Sequence, residues 1–179
     1  MNDDTEAALV LRCRTGDRGA FDILLTLYAK QIFSAAFRIL HHREDAVDVT
    51  QTAFLRAFEH FDRYDPGQRF QSWLYRIAVN EALDQVRGRR LSQAVAEDAP
   101  GESEPPDELA AREQSDEIIQ GALMELRPEY RVAIVLKHLQ GLSYEEIAVI
   151  LGCPVKTVKS RLFTARQALR DILVAKGQL

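Results

Sequence analysis

The chain has 179 residues, with 23 Lys and Arg against 27 Asp and Glu, 46% hydrophobic side chains, and only 9 Gly and 6 Pro. That composition supports a packed core and excludes fibrous or low-complexity classes, while the length allows one domain or two small ones. The net charge of −4, taken alone, argues against a nucleic-acid partner.

That average hides opposite segments. Residues 1–90 hold 13 basic and 13 acidic side chains, residues 91–117 one basic and nine acidic, and residues 118–179 nine basic and five acidic. The stretch from Leu91 to Glu108 is rich in Pro and Glu and poor in apolar residues, so it buries too little surface to offset its ordering entropy. It is expected to be an acidic flexible linker over 91–112, joining domains at 1–90 and 113–179. No uninterrupted apolar run of about 18 residues is present to cross a bilayer, and the acidic start Met1-Asn-Asp-Asp-Thr-Glu6 has no basic n-region, so a cytoplasmic location is expected. Cys13 and Cys153 fall in different domains and form no CxxC pair. The four His have no ligand spacing with carboxylates or thiols, and His41 and His42, read as neighbours on a helix, would point about 100° apart. Neither a metal site nor another cofactor is expected.

Helical periodicity recurs along the chain and strand alternation hardly at all, so the expected fold class is all-α, in two small domains. The spacing predicts a short helix over 5–14, stopped at Gly16. Asp17 then caps a long helix whose Phe21, Leu24, Leu25, Tyr28, Ile32, Phe33, Ala36, Phe37 and Leu40 follow the 3.6-residue period. A third helix runs from Arg43 to about Phe61, and the turn Asp62-Arg-Tyr-Asp-Pro-Gly67 separates it from a fourth over 70–89. On that fourth helix Tyr75, Val79, Ala82 and Val86 form a core stripe. Phe70, Trp73 and Ile77 form a second apolar stripe that runs into Asn80, Asp84 and Arg87. Two readings of the second stripe stay open: another helix covers the aromatics, or they meet a partner. Single-stranded nucleic acid fits the second, because bases stack on aromatic rings and an Asn pairs with a base edge. Beyond the acidic stretch a helix is predicted over 113–126, another opened by Pro128 to about Leu139, and then a compact pair around Gly152.

The compact pair carries the sharpest local signal. Ser143-Tyr-Glu-Glu146 is a capping box, Gly152 stops the helix it opens, and Cys153-Pro154 turns the chain into a second helix. This is a helix-turn-helix in length, punctuation and apolar placement. Turning the second helix by about 100° per residue puts Val158, Leu162, Ala165, Leu169 and Ile172 on one narrow stripe. Lys156, Lys159, Ser160, Phe163 and Thr164 fall opposite. Lys and Ser reach phosphates and base edges and an apolar ring contacts a thymine methyl, so this face suits a major groove, with Lys137 as a further phosphate contact or an ordinary surface Lys. In Asp45-Ala-Val-Asp-Val-Thr-Gln-Thr-Ala-Phe54 the polar residues Asp45, Asp48 and Gln51 share one arc of the third helix, which by itself reads as a solvated face.

Taken together, four stretches resemble the bacterial sigma-70 family, in its extracytoplasmic-function (ECF) group. They are Gly16 to Phe21, Asp45 to Ala57, Phe70 to Asn80, and Leu142 to Ala148 continuing to Thr157-Val-Lys-Ser-Arg161, in the family's order and with a linker in the family's place. The resemblance implies a sigma factor that binds core RNA polymerase and directs promoter-specific initiation without catalysis of its own. It implies that Asp45, Asp48, Gln51 and Phe54 lie on the surface that docks on the clamp helices of the largest subunit. It places Phe70, Trp73, Arg76 and Asn80 in the segment that opens and reads the minus-10 element. It places Lys156, Thr157, Lys159, Ser160, Arg161, Phe163 and Thr164 at the minus-35 element, beside the phosphate contact or surface position already read for Lys137, and it adds the polymerase flap region and an anti-sigma factor as partners.

Two residues depart from the family's pattern: Val47 stands where an acid is usual, and Thr164 where many members have Arg. The chain ends soon after Leu173 without the extension of some subgroups, so regulation is expected from elsewhere. A helix-turn-helix activator that binds duplex DNA is the main rival. It accounts for residues 128–176 but leaves the Phe70, Trp73 and Asn80 stripe and the acidic segment without a role. A helical enzyme is the second rival, and no nucleophile-base or paired-carboxylate arrangement supports it.

Overall fold

The computed structural model describes residues 3–95 and 110–178, and among these every regular element is helical. The first domain comprises α1 (Asp3–Arg14), α2 (Arg18–Leu40), α3 (Arg43–Glu59), a 3₁₀ turn (Phe61–Arg63) and α4 (Phe70–Val95). The second comprises α5 (Ala110–Glu125), α6 (Pro128–Ile134) with a π turn (Val135–Leu139), α7 (Tyr144–Leu151) and α8 (Val155–Ala175). Most of the expected acidic linker lies outside the described residues. Its first residues continue α4 to Val95 rather than ending the helix near Arg89, because no Gly or Pro stands between Arg89 and Pro100.

Local chemistry sets the corners. Gly16, at φ 87°, turns the chain, and the Asp17 carboxylate accepts from the Ala20 amide at 3.1 Å to cap α2. The next corner corrects the expectation of a helical His pair. His41 closes α2 in the left-handed region at φ 51°, and His42 Nδ1 accepts from the Asp45 amide at 3.3 Å as the cap of α3. α2 is the one described helix long and apolar enough to cross a bilayer. Here its Leu24, Tyr28, Ile32, Ala35 and Ile39 are buried, with α1, α3 and α4 packed around it. Leu25, expected in the core, is exposed.

A buried acid from α1 caps the start of helix α4. Glu6 Oε1 accepts from the Phe70 amide at 2.9 Å, and its other oxygen accepts from the Tyr28 hydroxyl. Beside it Phe61, Tyr64, Phe70 and Trp73 cluster with ring centroids 5.2 to 5.9 Å apart. Burial, with the Glu6 charge adding to it, pushes the Tyr64 phenol up to about 12. Glu6→Ala leaves a buried hydroxyl and the first α4 amide without their acceptor and is expected to destabilise the protein by about 2–3 kcal/mol. Urea unfolding measures this, and Glu6→Gln, which keeps one acceptor, should lose less.

In the second domain both halves of the capping box form: the Ser143 amide donates to Glu146 Oε2 at 2.7 Å, and the Glu146 amide donates to Ser143 Oγ at 3.1 Å. Gly152 ends α7 at φ 60°. Arg131 is 4% exposed and donates to the carbonyls of Leu123, Met124, Leu126 and Ile39 at 2.6 to 3.2 Å.

That last bond crosses to α2, and others join it. Arg38 pairs with Asp116 at 3.1 Å, Tyr75 Oη donates to Gln140 Oε1 at 2.8 Å, and Arg69 pairs with Glu146 at 2.7 Å. Tyr75, part of the expected core stripe of α4, is therefore buried where the second domain meets that helix. Burial pushes the Glu146 carboxyl up, but bonds from the Ser143 amide and hydroxyl and from Arg69 outweigh it and hold the carboxyl below its ordinary 4.5. A carboxyl depressed in the folded state contributes stability above its unfolded value and loses it as pH falls through the folded one. The wild type should therefore lose stability on acidification below about pH 4.5. Glu146→Gln should flatten that part of the curve, which thermal unfolding against pH reads directly.

Candidate nucleic-acid interface

Helix α8 presents two sides of opposite chemistry. Val158, Leu162 and Ala165 are fully buried and Leu169 and Ile172 partly so, while Lys156, Thr157, Lys159, Ser160 and Thr164 are exposed. Phe163 stands among the exposed residues with 62% of its surface open, and Arg161 lies half-buried at the edge. An exposed ring opposite a complete core stripe removes no water in the isolated protein, so its place there is explained by what it can contact.

Tyr144, a residue the sequence reading passed over, organises the near edge of this surface. Lys137 Nζ lies 4.8 Å and Lys159 Nζ 5.6 Å from its ring centroid. Cation–π attraction gathers two positive charges at the start of α7. Lys137 also donates to the Leu142 carbonyl at 2.9 Å, so it is a tethered cation rather than a free one. An aromatic directly after the capping Ser143 was the available signal.

On α4 the exposed edge consists of Arg76 and Asn80, with half-buried Trp73 beside them, all within about 60° around the helix. Phe70 stands apart. It is 0% exposed, enclosed by Tyr28, Phe61, Tyr64 and Trp73, so the reading in which other elements cover the aromatics holds for this ring.

On α3 the expected polar arc divides. Asp48 and Gln51 are exposed, whereas Asp45 turns toward α4, where it meets Arg89, and toward His42 at 3.3 Å. The larger feature is apolar: a groove of about 890 Å³ between α2 and α3, with Val47, Gln51, Leu55 and Phe58 along one wall, buried Phe54 at its base and Leu25 opposite. Leu55 is 58% and Phe58 48% exposed. The spacing of 47, 51, 55 and 58 places these four on one helical stripe, beside the arc that carries the acids. Val47 is thus no isolated departure, since it lengthens the apolar wall by a turn.

In architecture this is a two-domain helical protein with a helix-turn-helix whose second helix faces solvent with a cationic and aromatic side. Residues 24–91 match the family described as Sigma-70 region 2, and residues 116–169 match Sigma-70, region 4. The ECF RNA polymerase sigma-E factor of Escherichia coli is 36% identical over 177 residues, covering 92% of each chain. Of solved structures, CnrH in complex with the cytosolic domain of CnrY aligns with a TM-score of 0.74 at 28% identity, over 96% of this chain and 98% of that one. The sigma factor RpoE of Bartonella quintana, in complex with the anti-sigma factor NepR, aligns with a TM-score of 0.71 at 28% identity, over 86% and 96%. The chain belongs to the sigma-70 family, in its ECF group of RNA polymerase sigma factors.

Proposed function

We propose that residues 1–90 dock on core RNA polymerase and open the minus-10 element, that residues 113–179 read the minus-35 element, and that 91–112 tether the two. The exposed Phe163 within a cationic face carries this reading, because a ring in that position suits a thymine methyl in a major groove. Ser160 and Phe163 contact bases, with Lys156, Thr157, Lys159, Arg161 and Thr164 on or near the backbone and Lys137 adding charge at the edge. Arg76, Asn80 and Trp73 meet the melted strand. Phe70 acts as support beneath them, since its burial leaves it no face for a base.

The groove between α2 and α3 receives the polymerase clamp helices, with Asp48 and Gln51 at its margin. Asp45 serves mainly by fixing α3 to α4. An exposed apolar wall of this extent is a recognition feature rather than a solvated face. Leu55→Asp puts a charge into that wall and should weaken polymerase binding at least about tenfold. Titration of labelled protein against core enzyme checks it, with Asp48→Ala expected to act in the same direction and more weakly.

The protein acts in the cytoplasm and performs no catalysis itself. An anti-sigma factor is a fitting partner because the RpoE relative is held by one. The rival, an activator that binds duplex DNA, is separated by purified core enzyme: the present reading predicts promoter-specific transcripts with no other sigma factor added. Transcripts that need one would favour the activator.

A further inference from the structure

Glu6 ties two other helices to α1. Its buried carboxylate accepts from the Phe70 amide at 2.9 Å through one oxygen and from the Tyr28 hydroxyl of α2 through the other. Phe70 is the first residue of α4, so its amide is one of the donors that a helix start leaves unpaired, and the Arg69 side chain before it has no acceptor to offer. A carboxylate at this point meets both that donor and the positive end of the helix, which offsets much of the cost of burying its charge.

What that bond places is the turn that carries Trp73. The Trp73 amide donates to the Arg69 carbonyl at 3.2 Å, closing the first turn of α4, and the Trp73 and Phe70 ring centroids lie 5.8 Å apart. Further along, α4 has ties to α3, where Glu81 pairs with Arg56 at 2.7 Å and Arg89 meets Asp45. The loop before the first turn is braced internally: Tyr64 Oη donates to the Gln68 carbonyl, and the Gly67 amide donates to Asp65 Oδ1 at 2.9 Å. A cleft of about 400 Å³ parts this loop from α1, with Val10 and Leu11 on one side and Tyr64, Pro66 and Gln68 on the other. Packing is interrupted at the cleft, and the Glu6 bond crosses beside it.

We propose that Glu6 is a positioning residue for opening the minus-10 element: by holding the Phe70 amide from α1 it fixes the first turn of α4, and with it the edge that Trp73 offers to the melted strand. The inference rests on the role proposed above for Trp73. It gives α1, which bears no residue assigned to polymerase or promoter, a part in promoter opening. A purely stabilising Glu6 would lower the folded fraction alike for every activity. A positioning Glu6 acts on opening while the fold and the α2–α3 groove, which α1 does not line, stay intact.

Trp73 is the chain's single tryptophan, so the fluorescence of the full-length protein reports on that turn directly. Below its unfolding transition, Glu6→Ala should move Trp73 emission to longer wavelength and admit acrylamide more readily. With core polymerase it should open a duplex promoter about tenfold more slowly, the equivalent of one hydrogen bond to a charged group, at unchanged affinity for core enzyme. Glu6→Gln keeps an oxygen for the Phe70 amide and should recover most of the signal and the rate. Tyr28→Phe removes the other bond of the same carboxylate, and it should lower the urea midpoint while leaving Trp73 emission and opening near wild type. If Glu6→Ala does not fold, Glu6→Asp, whose carboxylate is withdrawn by one methylene, takes its place. Opening at the wild-type rate in the folded Glu6 variant, an unmoved Trp73 there, or equal slowing in Tyr28→Phe would overturn the positioning role. Wild type that opens no promoter with core enzyme would instead overturn the sigma-factor reading beneath it.

Discussion

Arg131→Met is expected to lower the free energy of unfolding by at least about 3 kcal/mol. The guanidinium is buried and spends its forked donors on four carbonyls, three of them at the end of α5, where a helix leaves its last carbonyls without partners. Met fills similar volume but donates nothing, so those oxygens either stay dry and unpaired or admit water by loosening α5 from α6. Lys is a poor substitute, because an ammonium on a flexible stem cannot reproduce the planar fork. Urea unfolding monitored by circular dichroism should show the midpoint falling for Met and recovering only partly for Lys. A loss below about 1 kcal/mol would mean that water replaces the side chain without difficulty. Because Arg131 also bonds to the Ile39 carbonyl, the same substitution loosens the contact between the two domains.

The second large effect is expected at the DNA face. Ser160→Ala and Phe163→Ala each remove one base contact in the proposed complex and should weaken use of the minus-35 element by about 1–3 kcal/mol, or roughly 5- to 150-fold. Neither side chain supports the core, so stability should stay within about 0.5 kcal/mol of wild type. The informative comparison is between promoters. On a template with a scrambled minus-35 sequence the variants should lose little, because the contact they lack has no correct partner there. Lys156→Ala should behave differently, weakening binding on all sequences and reducing its salt dependence, as a phosphate contact does.

What was legible in the sequence was whatever repeats over a few residues. The capping box at Ser143 and Glu146, the stop at Gly152 and the two-sided wheel of α8 depend on spacing alone, and all three occur in the structure. Features that depend on distant pairing were not legible. Glu6 reads as one more acid in an acidic start, and only the fold places it 2.9 Å from the Phe70 amide. Arg131 sits in an apolar run, Tyr130-Arg-Val-Ala-Ile-Val-Leu136, where a lone cation on a core helix hinted at a buried role without naming its acceptors. Tyr75 and Val79 were recognisable as buried, but periodicity cannot say which domain buries them. His41 and His42 were misplaced because a left-handed corner without Gly leaves little local trace. Phe70 and Trp73 show the same limit from the other side: their stripe was plain, and only packing separates the enclosed ring from the half-open one.

The most direct test of the central claim is single-round transcription from a linear template with purified core polymerase and this chain as the only specificity factor. The account predicts a discrete start site that moves along the template when the minus-35 and minus-10 elements are moved together, and that disappears when either is scrambled. A start site indifferent to those elements, or none until another sigma factor is supplied, would contradict it.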